Sequence, residues 1–291
     1  MEKALTDEGL SYRVYDKTSA NPTTDNVEEA VRLYRRAGCD CIIGFGGGSS
    51  MDCAKAAGAC IARPGKPLAE MEGILKVRRR LPLLMAVPTT AGTGSETTLA
   101  AVITDARSRH KYAINDFPLI PRYAVLDPAV TLGLPPFLTA ATGMDALTHA
   151  VEAYIGNSTT YGTRQDALLA VKLIFESIDA AYENGRDRTA RRNMLHASFY
   201  AGCAFSKSYV GYVHAIAHSL GGQYNVPHGL ANAVILPMVL EAYGERIYRK
   251  LARFADREAN PLYPVPVLMD AGELEKFYYR LMDSGKGGQK G

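Results

Sequence analysis

The tripeptide Leu134-Pro135-Pro136 separates two residue patterns that no single kind of layer can hold. Before it, short apolar runs alternate with amphipathic or alanine-rich stretches. Ser11–Tyr15 alternates polar and apolar residues and predicts a short strand. Asp25 and Glu28 read as a capping-box-like start for a helix that runs to about Ala37 and stops at Gly38. Cys41–Phe45 is a short apolar strand, followed by Gly46-Gly47-Gly48 and a helix over about Ser49–Ala62. Leu81–Val87 reads as a further buried strand ending at Pro88, and Thr98–Thr104, Lys111–Ile114 and Tyr123–Leu126 supply others. Strands alternating with helices imply a mainly parallel α/β sheet. From Phe137 onward only helical periodicity remains, over residues 137–155, 161–183, 187–205, 211–222, 229–242 and 244–256. The expected fold class is an α/β N-terminal domain, residues 1–135, followed by an all-α C-terminal domain, residues 136–291. The Gly- and Lys-rich tail Ser284–Gly291 is expected to be disordered.

A chain of 291 residues is ample for a core in each domain. Its 33 basic and 30 acidic residues leave a net charge of +3, which calls for no polyanionic partner. The basic clusters Arg78-Arg79-Arg80 and Arg186–Arg192 do not alternate with stacking aromatics, so both read as solvated faces and not as a nucleic-acid surface. Five cysteines form no CxxC pair and no framework spacing, as expected for a reducing compartment. Met1–Tyr15 lacks a basic segment followed by an apolar core and is no signal peptide. The longest apolar run, Leu230–Leu240, is interrupted by Asn232 and Pro237 and is too short to span a bilayer. These features predict a soluble, cytoplasmic protein with no membrane partner.

Three segments carry chemistry. Gly44-Phe45-Gly46-Gly47-Gly48-Ser49 follows an apolar strand and opens a helix, so glycine lets backbone approach a phosphate while the helix N-terminus offers N–H donors. Ser49 stands where the third glycine of GxGxxG would be, and no Gly-Lys-Ser/Thr follows, so neither familiar nucleotide fingerprint is met. A tight strand–helix turn without any ligand explains the segment equally well. Thr89-Thr90-Ala91-Gly92-Thr93-Gly94-Ser95-Glu96 follows another apolar strand; by itself it is a polar loop, but ligands of open α/β sheets bind beyond strand carboxyl ends, where two such turns would meet. In the second half, Asp145 and His149 lie four apart on one helical face, His214 and His218 repeat that spacing, and His228 follows in a Pro227-His228-Gly229 turn. Any one of these histidines is most simply a satisfied core or surface residue. Together, a carboxylate with several imidazoles suits a borderline divalent ion such as Fe²⁺ or Zn²⁺.

Gly46–Lys55 (GGGSSMDCAK), Pro88–Glu96 (PTTAGTGSE), Gly143–Tyr154 (GMDALTHAVEAY) and His214–Asn232 (HAIAHSLGGQYNVPHGLAN) together resemble the iron-containing alcohol dehydrogenases, and the resemblance covers nearly the whole chain. It implies a dehydroquinate-synthase-like fold: an α/β dinucleotide-binding domain joined to an all-helical metal-binding domain, with the active site in the cleft. It further implies that Asp145, His149, His214 and His228 are the metal ligands and that His218 is a catalytic histidine near the substrate. Gly47, Gly48 and Ser49 would cradle the pyrophosphate, Thr89, Thr90 and Thr93 would line the cofactor cleft, and Asn21 and Lys111 would add cofactor contacts. The implied reaction passes a hydride between a small alcohol and NAD or NADP, with Fe²⁺ (or Zn²⁺) as Lewis acid and an aldehyde or ketone as product. A homo-oligomer is compatible with this reading.

The chain departs from the family pattern in two places. The family usually opens with a further βα unit before the segment matching Ser11–Tyr15, and it carries several more helices where Ala255-Asp256-Arg257-Glu258 runs into Asn260–Pro266. The expectation is an N-terminally truncated, internally shortened member with weakened cofactor affinity. Glycerol dehydrogenases share the fold but lack the HAIAHSLGG…PHG arrangement. From another class, an inert metal-binding remnant or oligomer scaffold draws on the missing segments; NAD(P)H turnover measured beside metal content separates the two.

Overall fold

The computed structural model describes residues 1–224 and 226–251 and, beyond them, Gly272 and Lys276. The expected disordered tail, the end of the last expected helix and the Ala255–Pro266 junction lie outside the described residues. The chain divides into two compact units, Met1–Leu134 and Pro135–Gly291.

The first unit is α/β. A short helix α1 (Glu2–Asp7) precedes α2 (Thr24–Ala37), strand β1 (Cys41–Gly46), helix α3 (Gly48–Ala62), and strands β2 (Gly73–Ile74), β3 (Leu83–Pro88), β4 (Ala100–Thr104), β5 (Lys111–Asn115) and β6 (Tyr123–Ala124). Helix α2 begins two residues before the expected box: Thr23 caps it, accepting from Asn26 N–H, and the Asn26 side chain accepts from Thr23 N–H. It ends, as expected, on left-handed Gly38. The expected single, mainly parallel sheet is instead two three-stranded sheets, β1-β3-β6, all parallel, and β2-β5-β4, in which β4 and β5 are antiparallel. The antiparallel pair has a physical cause. The Asp105 carboxylate accepts from the N–H groups of Arg107 and Ser108, and Arg109 adopts φ 59°, which closes a tight connection without any glycine signal.

Ser11–Tyr15 is not a strand. Alternation by itself supplies neither a cover nor a neighbouring ladder, and Val14, on its apolar face, is exposed. Tyr15 packs on the core of this unit and donates its hydroxyl to Glu29. The core itself lies between α2, α3 and the β2-β5-β4 sheet, with Val27, Ala56, Met71, Val77, Ile103, Ile114 and Leu119 wholly or almost wholly buried.

The second unit is helical: α4 (Pro136–Ile155), α5 (Tyr161–Glu183), α6 (Arg188–Ser208), α7 (Tyr212–Tyr224) and α8 (His228–Tyr243), with residues 245–251 again in helix. Each boundary carries its chemistry. Pro136 sits in the first turn of α4, Thr160 and Thr163 form a capping box on α5, and Asp187 caps α6 through the N–H groups of Thr189 and Ala190. Helix α4 is the hub, packed against α5, α6 and α8 and buried over most of its circumference. Among the described residues no helix is long and apolar enough to cross a membrane.

Candidate functional site

A helix buried all round should be apolar all round, because a buried polar group without partners costs about 1–3 kcal/mol. Helix α4 breaks that rule on one face. Asp145, His149 and Glu152, spaced four and three apart, are each 6% exposed or less. Their partners come from α7 and α8. Glu152 Oε2 accepts from His214 Nδ1 at 2.6 Å and from Gly211 N–H at 2.8 Å, while Oε1 accepts from Val213 N–H at 2.8 Å. One carboxylate thus caps the start of α7 and fixes the ring of His214. With its Nδ1–H given to Glu152, His214 turns Nε2 toward Asp145 Oδ1, 3.5 Å away.

His228 is the first residue of α8, and its Nε2 lies 3.4 Å from the same Asp145 oxygen. Gly229 makes that approach feasible: a Cβ there would collide with the carbonyl oxygen of Ala141 on α4. The His149 ring stacks between Phe205 and His214, with centroids at 4.0 and 4.3 Å. Asp145, His149 and His214 each present one ligand-type atom, and all these atoms lie within 4.8 Å of one another. His218 is exposed and stacks on His228, centroids 5.1 Å apart.

These donors fit a divalent ion. Four ligands about 2.1 Å from a first-row ion stand about 3.4 Å apart at the corners of a tetrahedron. The Asp145–His214 and Asp145–His228 separations of 3.5 and 3.4 Å match that edge. The electrostatics agree. Burial pushes the Asp145 carboxyl up, but His149, the His214 hydrogen bond and His228 outweigh it and hold it well below the usual carboxylate range. Burial pushes His214 down, but its hydrogen bonds to Asp145 and Glu152 raise it to about 9. Two buried carboxylates therefore draw positive charge to this point. The carboxamide of Asn232, fully buried, also serves it: Nδ2 donates to Asp145 Oδ1 at 2.7 Å and lies 3.3 Å from Nε2 of both His214 and His228.

The first unit gathers the other expected positions at one end of the parallel sheet. Gly46 pairs with Pro88 in register, and Thr89 N–H donates to Gly46 O at 2.9 Å, so both loops leave neighbouring strand ends together. A Cβ on Gly48 would stand 3.0 Å from Thr93 Cγ2, and one on Gly47 would stand 3.4 Å from the Thr90 side chain. The backbone of Gly48 thus runs close against that loop. No side chain caps the first turn of α3, and Thr90 Oγ1 is buried without a hydrogen-bond partner. Ser49 Oγ accepts from Asn21 N–H at 3.3 Å, and Lys111 Nζ donates to Asn21 Oδ1 at 2.8 Å. Asn21, with φ 58°, is held in the left-handed region. Uncapped helix N–H groups beside an unmet hydroxyl and a lysine suit a diphosphate.

Known proteins carry the same architecture. The sequence pattern described as iron-containing alcohol dehydrogenase matches residues 1–128, and that of the Fe-containing alcohol dehydrogenase family, C-terminal, matches residues 139–261. The crystal structure of a 1,3-propanediol oxidoreductase superposes with a TM-score of 0.85 at 38% identity, covering 96% of this chain and 73% of that one. The chain belongs to the iron-containing alcohol dehydrogenase family. Alcohol dehydrogenase 4 of Saccharomyces cerevisiae (strain YJM789) is 43% identical to this family member over 242 residues, 83% of this chain and 63% of its own length. NAD-dependent methanol dehydrogenase of Bacillus methanolicus is 40% identical over 237 residues, 81% of this chain and 62% of its own length. The chain thus spans about three fifths of the length of these curated relatives.

Within this member of the family, Asp145, His149, His214, His228 and His218 converge in the helical unit, and Asn21, Gly47, Gly48, Ser49, Thr89, Thr90, Thr93 and Lys111 share one end of the α/β unit. Sequence reasoning passed over Glu152 and saw Asn232 only as a break in an apolar run. Both had a signal: Glu152 is three residues from His149, and Asn232 is four from His228, each on the face of its ligand-type neighbour.

Proposed function

We propose that this chain carries the machinery of a metal-dependent alcohol dehydrogenase, passing a hydride reversibly between a small primary or secondary alcohol and NAD(P). The convergence on Asp145 carries the reading: His214 and His228 lie 3.5 and 3.4 Å from its Oδ1, and the ligand atoms of Asp145, His149 and His214 all lie within 4.8 Å of one another. We assign these four as ligands of one divalent ion, iron in the cell with zinc as a substitute. When bound, the ion supplies Lewis acidity toward an alcohol oxygen and the nicotinamide accepts the hydride.

The residues of the chain do the holding. Glu152 fixes the tautomer of His214, and Asn232 donates to the Asp145 oxygen that faces both histidines. His218, exposed and stacked on His228, is assigned to moving the hydroxyl proton to solvent, which an imidazole does well near neutral pH. The N–H groups of Gly48 and Ser49 and the Thr90 hydroxyl are assigned to the cofactor's pyrophosphate, with Thr89 and Thr93 as the surrounding wall and Lys111 and Asn21 as a second arm. The names of relatives, alcohol dehydrogenase 4 and NAD-dependent methanol dehydrogenase, support a short alcohol and NAD. A cytoplasmic location is part of the same reading, supported by five cysteines among which no disulfide forms.

The test is anaerobic purification with iron, followed by NADH and NADPH formation at 340 nm across methanol, ethanol, 1-propanol and 1,3-propanediol. Turnover that needs both metal and alcohol is expected. A protein that binds iron and NAD(H) yet turns over no alcohol or aldehyde would overturn the assignment.

A further inference from the structure

Helix α3, whose first turn forms the glycine cradle, is apolar and buried over most of its length, yet one face is polar. Ser49, Asp52 and Lys55 recur at spacing three. Lys55 is completely buried, and its Nζ lies within reach of four oxygens: Thr98 Oγ1 at 2.8 Å, Ala100 O at 2.9 Å, and Ser95 Oγ and Thr98 O at 3.0 Å. An ammonium has three donors, so this cage leaves none unused. Ser95 hands its own hydroxyl proton to Asp52 Oδ1 at 2.9 Å, and Asp52 Oδ2 accepts from Val102 N–H on β4 at 3.1 Å. Ser49, one turn earlier, accepts from Asn21 N–H, and Asn21 accepts from Lys111.

Every segment assigned to the cofactor is therefore tied to successive residues on one face of a single helix. The tolerance is small, since a Cβ on Gly48 would stand 3.0 Å from Thr93 Cγ2, so that Thr93 would have to shift by a few tenths of an ångström. Burying a lysine is unfavourable compared with an apolar side chain of similar volume, so the charge needs a reason beyond packing.

We propose that Lys55, together with Asp52 and through Ser95 and Thr98, is a positioning residue that sets the distance between the threonine loop and the glycine cradle and so governs cofactor affinity. It touches neither cofactor nor substrate. The inference rests on the reading of this unit as the NAD(P) site, and direct NADH binding separates the two. If the wild-type chain binds neither NADH nor NADPH, the underlying reading fails.

With wild-type binding established, bound-nucleotide fluorescence is measured on K55M, S95A, T98V and the K55M/S95A double variant, at a temperature where circular dichroism finds each folded. K55M is expected to weaken NADH binding about tenfold or more, and S95A and T98V about threefold each. The double variant should bind no worse than K55M, because both changes open the same cage. A purely structural lysine would lower the melting temperature and leave the dissociation constant of the folded protein within twofold, which overturns the proposal. Should K55M not fold, S95A and T98V carry the same test. In folded K55A, propylammonium at constant ionic strength should restore at least half of the lost affinity by refilling the cage with a cation. Weakened binding that propylammonium leaves unchanged assigns the loss to packing and also overturns the proposal.

Discussion

Glu152 carries more of the proposed metal site than its distance from any reacting atom suggests, and Glu152→Gln isolates that contribution. The carboxylate is 4% exposed and accepts three hydrogen bonds, from His214 Nδ1, Gly211 N–H and Val213 N–H. A carboxamide of the same shape has one accepting oxygen. If that oxygen keeps His214 and Gly211, the new NH₂ group confronts the N–H of Val213, which is 1% exposed. A buried donor left without an acceptor costs about 1–3 kcal/mol, and the two retained bonds lose their charge assistance at roughly 1 kcal/mol more. The variant should therefore be about 2–4 kcal/mol less stable in denaturant melts. Its metal affinity should fall about 10- to 100-fold, since the partner that orients a ligating imidazole is lost. The assay is titration of the metal-stripped protein with Co²⁺ or Zn²⁺ against a competing chelator, at a temperature where both forms are folded. Equal dissociation constants for wild type and E152Q would refute the claim that Glu152 prepares His214 as a ligand.

Glu96 offers a pH test in the other unit. It is 2% exposed, no other residue donates a hydrogen bond to its carboxylate, and burial, only partly opposed by its own backbone N–H and by Lys55, raises it from 4.5 to about 7. The folded state then holds a proton that the unfolded state releases, so the stability present below pH 4.5 is lost as pH rises through 7. Glu96→Gln should be about 1–3 kcal/mol more stable than wild type at pH 8 and no more stable at pH 4.5; a gain of equal size at both pH values would contradict the account. Gly48→Ala places a methyl group 3.0 Å from Thr93 Cγ2 and should weaken NADH binding about threefold to thirtyfold, read by fluorescence titration. Unchanged affinity would remove Gly48 from the cradle.

The change of pattern at Leu134-Pro135-Pro136 was legible because strand and helix periods differ, and the chain divides there, after Leu134. The glycine turn and the threonine loop stood out because each follows an apolar strand, and the two His/Asp segments because spacing of four on a helix is a statement about three-dimensional proximity. Other features depend on partners that lie far away in sequence. Ser11–Tyr15 has the alternation of a strand but pairs with none of the described strands. The β4–β5 hairpin turns on the Asp105 side chain and not on glycine. Lys55 and Asp52 read as unremarkable residues of an alanine-rich helix until Ser95, Thr98 and Val102, some 40 to 50 residues onward, close around them. Glu152 likewise acquires its role only when the start of α7 folds onto it, 59 to 62 residues later.

In the proposed site Asp145, His149, His214 and His228 hold one divalent ion that His218 does not help to hold. Iron per chain, determined by mass spectrometry on protein purified anaerobically with iron, decides this assignment. About one ion per chain is expected in wild type and in His218→Ala, and close to none in His228→Ala, whose Nε2 otherwise lies 3.4 Å from Asp145 Oδ1. Equal iron in wild type and His228→Ala would contradict it.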